Sequence, residues 1–194
     1  MLTSNPPKRL LLLIYLGLFL LWPYGVVRGE PSTNDIWQSL ETKHTLIRYQ
    51  SWEDLKKFNR NVDYSPGSWG LKRLFAFTGS DTMPDALKKK VDALYERVQE
   101  ILDMRKVMKK VTINIYQNKK QLHAAYHHIY KTPCRFRAWY AYEYNTIYLQ
   151  VDDVHEGIVA HELAHSIIDH YLIVRPPRAT AEILARYVDS HLFD

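Results

Sequence analysis

Two histidines and a glutamate have a spacing that could support metal chemistry. His161, Glu162 and His165 form an H-E-x-x-H pattern. On a helix, residues four positions apart lie on the same face, so both imidazoles can bind one ion. Zinc lowers the pKa of a bound water, and a neighbouring carboxylate can accept the proton as that water attacks a carbonyl carbon. The pattern therefore predicts a zinc site with Glu162 as general base.

A catalytic zinc ion takes three protein ligands and keeps one position open, so a third ligand is needed. One common pattern places a glycine three residues and a histidine six residues after the second histidine. This chain has Ile168 and Tyr171 at those positions, which excludes that pattern. Glu182 lies 17 residues after His165, in a segment with helical periodicity. We expect His161, His165 and Glu182 to bind one zinc ion per chain.

Other polar side chains could support the ligands and the reaction. Asp189 lies on the same predicted helix face as Glu182, and Asp169 lies one turn after His165. Either carboxylate could hold a ligand imidazole through its second ring nitrogen. Hydrolysis also needs a hydrogen-bond donor to the developing oxyanion. The candidates are Tyr187, His191 and Tyr142. Residue types alone do not choose among these three donors.

Two predicted helices would position the site. Apolar residues recur at helical spacing over 154–172 and over 180–192, and two adjacent prolines lie between these segments. Asp153 is predicted to cap the first helix, with Glu156 at the capping-box position. Ala185 is small enough to let the second helix pack closely against the first.

The segment before these helices predicts a sheet. Residues 139–151 are rich in Tyr, Ile, Leu and Val, which is typical of one or two strands. Within it, residues 144–150 could form an edge strand that pairs with substrate, or an interior strand. Ser51 and Asn118 are predicted to cap helices. Further strands are predicted over 45–50, 71–77 and 111–116, and further helices over 52–59, 84–104 and 119–130. This order of elements predicts an α+β fold.

The two motif segments together resemble a known family. The stretch VAHELAHSI, followed by EILARY, resembles the gluzincin-type zinc metallopeptidases of the thermolysin-like branch. It is most similar to the small peptidase MA-like domains, whose second motif reads roughly P-x-W-x-x-E-G-x-A-x-Y. The chain departs from that motif at Ala179, where Trp is common, and at Ile183, where Gly is common. The residues that match in order are Pro176, Glu182, Ala185 and Tyr187.

The resemblance implies a fold and a set of roles. A zincin-like domain would pack a small twisted mixed sheet against the helix that carries H-E-x-x-H and a following helix that carries the third ligand. By resemblance, His161, His165 and Glu182 are the zinc ligands and Glu162 is the general base. The specific part of this resemblance covers about thirty residues.

The first 29 residues have the pattern of an export segment. Lys8 and Arg9 precede an uninterrupted apolar run over 10–22, and small residues at 27 and 29 fit cleavage before Glu30. The alternative is an uncleaved membrane anchor over 10–27. Both readings place a single domain, residues 30–194, outside the cytoplasm, either secreted or periplasmic, because the basic residues stay inside.

Composition excludes several classes of protein. The chain has 194 residues, of which 46% are hydrophobic, which suits one globular domain. Lys8, Arg9 and Arg28 supply three of the five net positive charges, so the rest of the chain carries only +2 and nucleic acid is not an expected partner. Cys134 is the only cysteine, which excludes an intramolecular disulfide framework.

These observations predict an exported zinc metallopeptidase that acts on a peptide or protein substrate. One alternative is a zinc-dependent amidase of a non-protein amide, such as a cell-wall peptide, because its ligands would be identical. The other is a non-catalytic, zinc-stabilised interaction domain. Glu162 argues against that last alternative, because a structural zinc site has no need of a base.

Overall fold

A five-stranded mixed sheet organises residues 37–64 and 82–194, which the computed structural model describes. The spatial order is β1-β2-β3-β5-β4. The three central strands are parallel, and each outer strand is antiparallel to its neighbour. The strands are β1 (Gln38–Glu41), β2 (Thr45–Tyr49), β3 (Val111–Tyr116), β4 (Trp139–Ala141) and β5 (Thr146–Gln150). The predicted export segment over 1–29 and the predicted strand over 71–77 lie outside the described residues.

Five α-helices accompany this sheet in the described segments, and the α+β prediction is confirmed. They are α1 (Trp52–Asn61), α2 (Met83–Ile101), α3 (Lys119–Tyr130), α4 (Glu156–Tyr171) and α5 (Arg178–His191). Among residues 37–64 and 82–194, no helix combines the length and apolarity needed to cross a bilayer.

Local sequence signals account for several helix starts. The Ser51 side chain accepts a hydrogen bond from the Asp54 N–H at the start of α1, and Asn118 accepts one from the Gln121 N–H at the start of α3. Both predicted caps are confirmed, because these side-chain oxygens satisfy amide groups that have no partner within the helix. The helix predicted to reach residue 104 ends earlier, at Ile101, because the chain turns at Asp103, whose φ is 51°.

The predicted cap of α4 is wrong. Asp153 lies in a single 3-10 turn, Val151–Asp153, and the residue that precedes α4 is His155. The carboxylate of Asp153 instead binds the guanidinium of Arg137, whose Nε donates to it over 2.7 Å. A charged guanidinium offers two donors in a fixed geometry, so it competes effectively with backbone amides for the carboxylate.

The strand before α4 is interior, so it cannot be the edge strand considered for substrate. β5 pairs with β3 on one side and with β4 on the other. The edge of the sheet nearest the motif helices is therefore β4, a strand of three residues. Strand order depends on long-range pairing, which the local pattern over 139–151 does not determine.

Two apolar layers cover the two faces of this sheet. The larger core packs β2, β3 and β5 against α1, α2, α4 and α5, and a smaller cluster around Trp139, Tyr148 and Leu122 packs beneath α3. Side chains alternate between faces along a strand, so Ile147 and Leu149 enter the larger core while Tyr148 enters the smaller cluster. This arrangement places α4 against β4 and β5, and α5 packs on α4.

Candidate metal centre

Three metal-binding side chains converge where α4 packs against α5. The Nε2 atoms of His161 and His165 lie 3.3 Å apart. The Oε2 atom of Glu182 lies 3.5 Å from Nε2 of His165 and 3.9 Å from Nε2 of His161. The helical spacing of the histidines brings their rings together, and α5 contributes the carboxylate from a second helix. The structure thus brings together the three residues predicted as ligands.

The separations of these donor atoms suit a tetrahedral zinc ion. Zinc binds nitrogen and oxygen at about 2.0–2.1 Å, so two ligands of a tetrahedron lie about 3.3–3.4 Å apart. Two of the three distances fall close to this value, and the third, 3.9 Å, exceeds it by about half an ångström. Two imidazoles and one carboxylate also form a known donor set for catalytic zinc. The residues present therefore fit the ion.

Asp189 holds the first ligand in a defined orientation. Its Oδ2 atom lies 2.9 Å from Nδ1 of His161. This carboxylate is the main reason why the pKa of His161 is raised. A proton held on Nδ1 by this contact leaves the Nε2 lone pair directed at the centre. The structure thus places Asp189 where the sequence predicted a supporting carboxylate.

The pKa of His165, the second metal-binding histidine, is shifted in the opposite direction from that of His161. Burial, helped by the neighbouring charge of His161, lowers the pKa of His165 to about 4. His165 is therefore a neutral imidazole near pH 7, which is the form that binds a metal. Binding of an ion through one ring nitrogen of this neutral imidazole requires that its single proton lie on the other nitrogen.

Glu162 is a buried carboxyl group next to the ligands. Only 8% of this residue is exposed, yet it lines the cleft that contains the three ligands. Burial raises its pKa to about 7, although the charge of His161 and a hydrogen bond with the backbone of Tyr140 lower it. A carboxyl group with a pKa near the working pH both accepts and returns a proton efficiently.

A cleft of about 680 Å³ opens onto these residues. Its walls come from α3 and the loop that follows, β4 and the 3-10 turn after it, α4, the connection between α4 and α5, and the start of α5. This volume is within the usual range for sites that bind small molecules or peptide side chains. The three metal-binding side chains therefore face a space large enough to hold a small molecule.

Asp169 does not orient a ligand. Its carboxylate is buried and accepts a hydrogen bond from Nε of Arg175 at 3.0 Å, so it ties the connection between α4 and α5 to α4. The Arg175 guanidinium also lies 4.4 Å from the ring centre of Tyr142, and Tyr142 stacks on His170. Asp169 thus binds a residue that lies beyond the end of its helix, and no sequence signal predicted this pairing.

The three candidate oxyanion donors have different positions. Tyr142 lines the cleft, with its ring between Arg175 and His170. Tyr187 and His191 stack on each other with ring centres 4.0 Å apart, and neither is among the cleft-lining residues. Of the three, only Tyr142 lies where a substrate could reach it.

Sequence reasoning missed a cationic residue in the cleft. Arg178, the first residue of α5, lines the cleft together with His165 and Glu182. Its charge helps to lower the pKa of His165, although burial is the larger cause. No hydrogen bond or ion pair engages Arg178 within the described ranges. A guanidinium so placed could donate to a developing oxyanion. The only local signal for the position of Arg178 was the pair of prolines before it, because α5 begins directly after them.

Comparisons of this chain with models of protein families, with curated proteins and with solved structures gave no match.

Proposed function

We propose that this chain is an exported zinc metallopeptidase with a zincin-like domain. The observation that carries the proposal is the convergence of two imidazole nitrogens and one carboxylate oxygen, 3.3–3.9 Å apart, beside the buried carboxyl group of Glu162. A structural zinc site is usually closed by four protein ligands, whereas three ligands beside a base leave a position for water.

In the proposed hydrolysis, each residue of the site has a separate role. Zinc, when bound, polarises the scissile carbonyl group and lowers the pKa of water. Glu162 takes a proton from the attacking water and returns it to the leaving amine. Asp189 keeps Nε2 of His161 directed at the ion. Tyr142 and Arg178 line the cleft and are the donors that we propose for the oxyanion.

The free edge of β4 is the proposed place for an extended peptide. β4 pairs with β5 on one side, and no described strand pairs with its other side. Tyr140, in the middle of β4, lines the same cleft as Glu162, and its backbone is close enough to help lower the pKa of that carboxyl group. A peptide added along this edge would therefore bring its carbonyl groups close to Glu162.

The first experiment measures the zinc content of the purified chain. We expect about one zinc ion per chain in the wild type and a clear loss in Glu182→Ala, because a three-ligand site loses a third of its donors. Glu53→Ala is the matched control, since Glu53 is an exposed glutamate of α1. A wild type that binds no zinc after reconstitution would refute the proposal. Undiminished zinc in Glu182→Ala would refute the assignment of the third ligand.

The second experiment tests the chemistry. Glu162→Gln should keep its zinc and hydrolyse a casein or peptide library about 10²–10⁴-fold more slowly, because the base is lost while the ligands remain. Equal rates in Glu162→Gln and the wild type would contradict the role of Glu162. Zinc binding without cleavage of any peptide would favour the amidase or the non-catalytic domain instead.

Export belongs to the same proposal and is supported by the sequence pattern of residues 1–29. Fractionation of cells that produce the full chain should place it outside the cytoplasm. Removal of residues 10–22 should then retain it in the cytoplasm, because the apolar run carries the targeting signal. An unchanged distribution would refute the export proposal and leave the metal centre untouched.

A further inference from the structure

Four aromatic side chains form one wall of the cleft. The ring centre of Tyr126 lies 4.6 Å from that of Tyr130, 5.6 Å from that of Phe136 and 5.0 Å from that of Trp139. All four residues line the same cleft as the three metal-binding side chains. We call Tyr126, Tyr130, Phe136 and Trp139 the aromatic wall.

The aromatic wall is anchored to the sheet but open at its surface. Trp139 is buried and stacks on Tyr148 of β5, with ring centres 4.7 Å apart and an interplanar angle of 3°. In contrast, Tyr130 and Phe136 are 38% and 39% exposed. Exposed rings grouped in a concave site are typical of a binding surface, because covering them removes apolar area from water.

The aromatic wall is continuous with the candidate metal centre. Trp139 is the first residue of β4, and the next residue, Tyr140, lines the same cleft as Glu162. An extended peptide rises about 3.3 Å per residue and directs alternate side chains to opposite faces. A peptide that runs along β4 would therefore direct every second side chain towards the face of the sheet that carries Trp139.

We propose that the aromatic wall is a specificity subsite that binds an aromatic or large apolar side chain of the substrate, close to the scissile bond. This inference rests on the proposed peptidase function. The planes of the other three rings make angles of 46°, 50° and 87° with the ring of Tyr126. The aromatic wall therefore combines ring faces and ring edges. A further aromatic ring packs well against such a surface in tilted or edge-to-face contact.

The charges near the aromatic wall offset each other, so they do not favour a cationic side chain of the substrate. Glu143 and Tyr130 both line the cleft. Burial raises the pKa of Tyr130, and the charge of Glu143 adds a smaller effect in the same direction. Glu143 is exposed to solvent, so its charge is screened. Arg175 acts on the same tyrosine with the opposite sign. The two charges therefore oppose each other at this end of the cleft, and the apolar rings determine the preference.

The test compares matched peptides with the full-length, zinc-loaded chain. Peptides that differ only in Phe, Ala or Lys at positions flanking the cleaved bond report the preference as kcat/KM. We expect Phe to be preferred, and Phe136→Ala to lower kcat/KM for the Phe peptide roughly 10-fold while changing that for the Ala peptide less than about twofold. Phe136→Tyr should restore the preference. Phe193→Ala, which removes an exposed phenylalanine outside the cleft, should change neither value.

A binding measurement separates this inference from the peptidase proposal. In Glu162→Gln, fluorescence anisotropy of labelled peptides reports affinity without turnover, and adding Phe136→Ala should weaken binding of the Phe peptide alone. Hydrolysis of Phe and Ala peptides at equal rates, or a preference for Lys, would overturn the subsite while leaving the peptidase intact. Binding that depends on Phe136 without hydrolysis of any peptide would support the subsite and refute the peptidase.

Discussion

Asp189 would act on a bound ion only through His161, and its effect can be measured at the scale of one residue. The contact between Oδ2 and Nδ1, at 2.9 Å, fixes the ring that carries the ligand nitrogen. We expect Asp189→Ala to weaken zinc binding about 10–100-fold, because a carboxylate behind a ligand histidine orients it and raises its basicity. Competition with a chromogenic chelator measures the affinity. Asp194→Ala, which removes an exposed carboxylate at the end of the chain, is the control, and equal affinities in the two variants would contradict the role of Asp189.

His170 couples the stability of the metal-free protein to pH. Its Nε2 atom lies 2.9 Å from the hydroxyl oxygen of Tyr140. Burial lowers the pKa of His170 below 6.5, and the ammonium group of Lys109 acts in the same direction, whereas Asp169 opposes it. The ring of Tyr142 also stacks on His170 and limits its contact with water.

The sign of the effect follows from which state binds the proton first. The unfolded chain takes up a proton on His170 near pH 6.5, before the folded protein does, so the free energy of unfolding falls as the pH drops through this range. Urea unfolding of the metal-free wild type and of His170→Gln between pH 7.5 and pH 5 isolates this contribution. The variant should lose less stability on acidification. The prediction would be contradicted if its free energy of unfolding fell with decreasing pH at least as steeply as that of the wild type.

At the scale of elements, we expect small buried residues to determine how closely α4 and α5 approach. Ala160 and Ala164 of α4 are fully buried, as is Ala185 of α5. Ala185→Leu inserts three carbon atoms into this contact and should destabilise the protein by about 1–3 kcal/mol. It should also reduce zinc binding, because Glu182 lies on the helix that is pushed away.

Ala179→Leu is the matched control for this helix contact, since Ala179 belongs to the same helix but is exposed. Chemical denaturation gives the free energy of unfolding of each variant, and metal analysis gives its zinc content. If Ala185→Leu were as stable and bound as much zinc as Ala179→Leu, the close approach of the two helices would not be what assembles the centre.

At the scale of the whole molecule, zinc should stabilise the folded state. The three donors come from two helices and meet only when α5 packs on α4, so the unfolded chain binds the ion weakly. Binding to the folded state alone, at a free zinc concentration 1,000 times the Kd, stabilises a protein by about 4 kcal/mol. We therefore expect the Tm of the wild type to rise on zinc addition and to fall again with a chelator.

Glu182→Ala provides the comparison for this thermal experiment. Its Tm should respond much less to zinc, because one of the three donors is missing. An equal zinc-dependent rise in both proteins would place the stabilising ion elsewhere in the molecule, whereas no rise in either would contradict zinc binding to the folded state.

The sequence by itself determined the features that depend on neighbouring residues. Alternating side chains predicted the strand over 111–116, and the cap at Asn118 predicted the helix over 119–130; both agree with the structure. The spacing of His161 and His165 placed two candidate ligands on one helix face for the same reason. These signals act within one turn of helix or a few residues of strand, so they can be recognised without the rest of the fold.

Only the tertiary structure decided the features that depend on distant parts of the chain. β5 is interior because the distant strand β3 pairs with one of its edges, and Asp153 does not cap α4 because Arg137, which precedes β4, binds its carboxylate. The aromatic wall assembles from α3, the following loop and β4 around the edge of the sheet. Such contacts arise from strand order and helix packing, and short-range periodicity carries no information about which distant surfaces will meet.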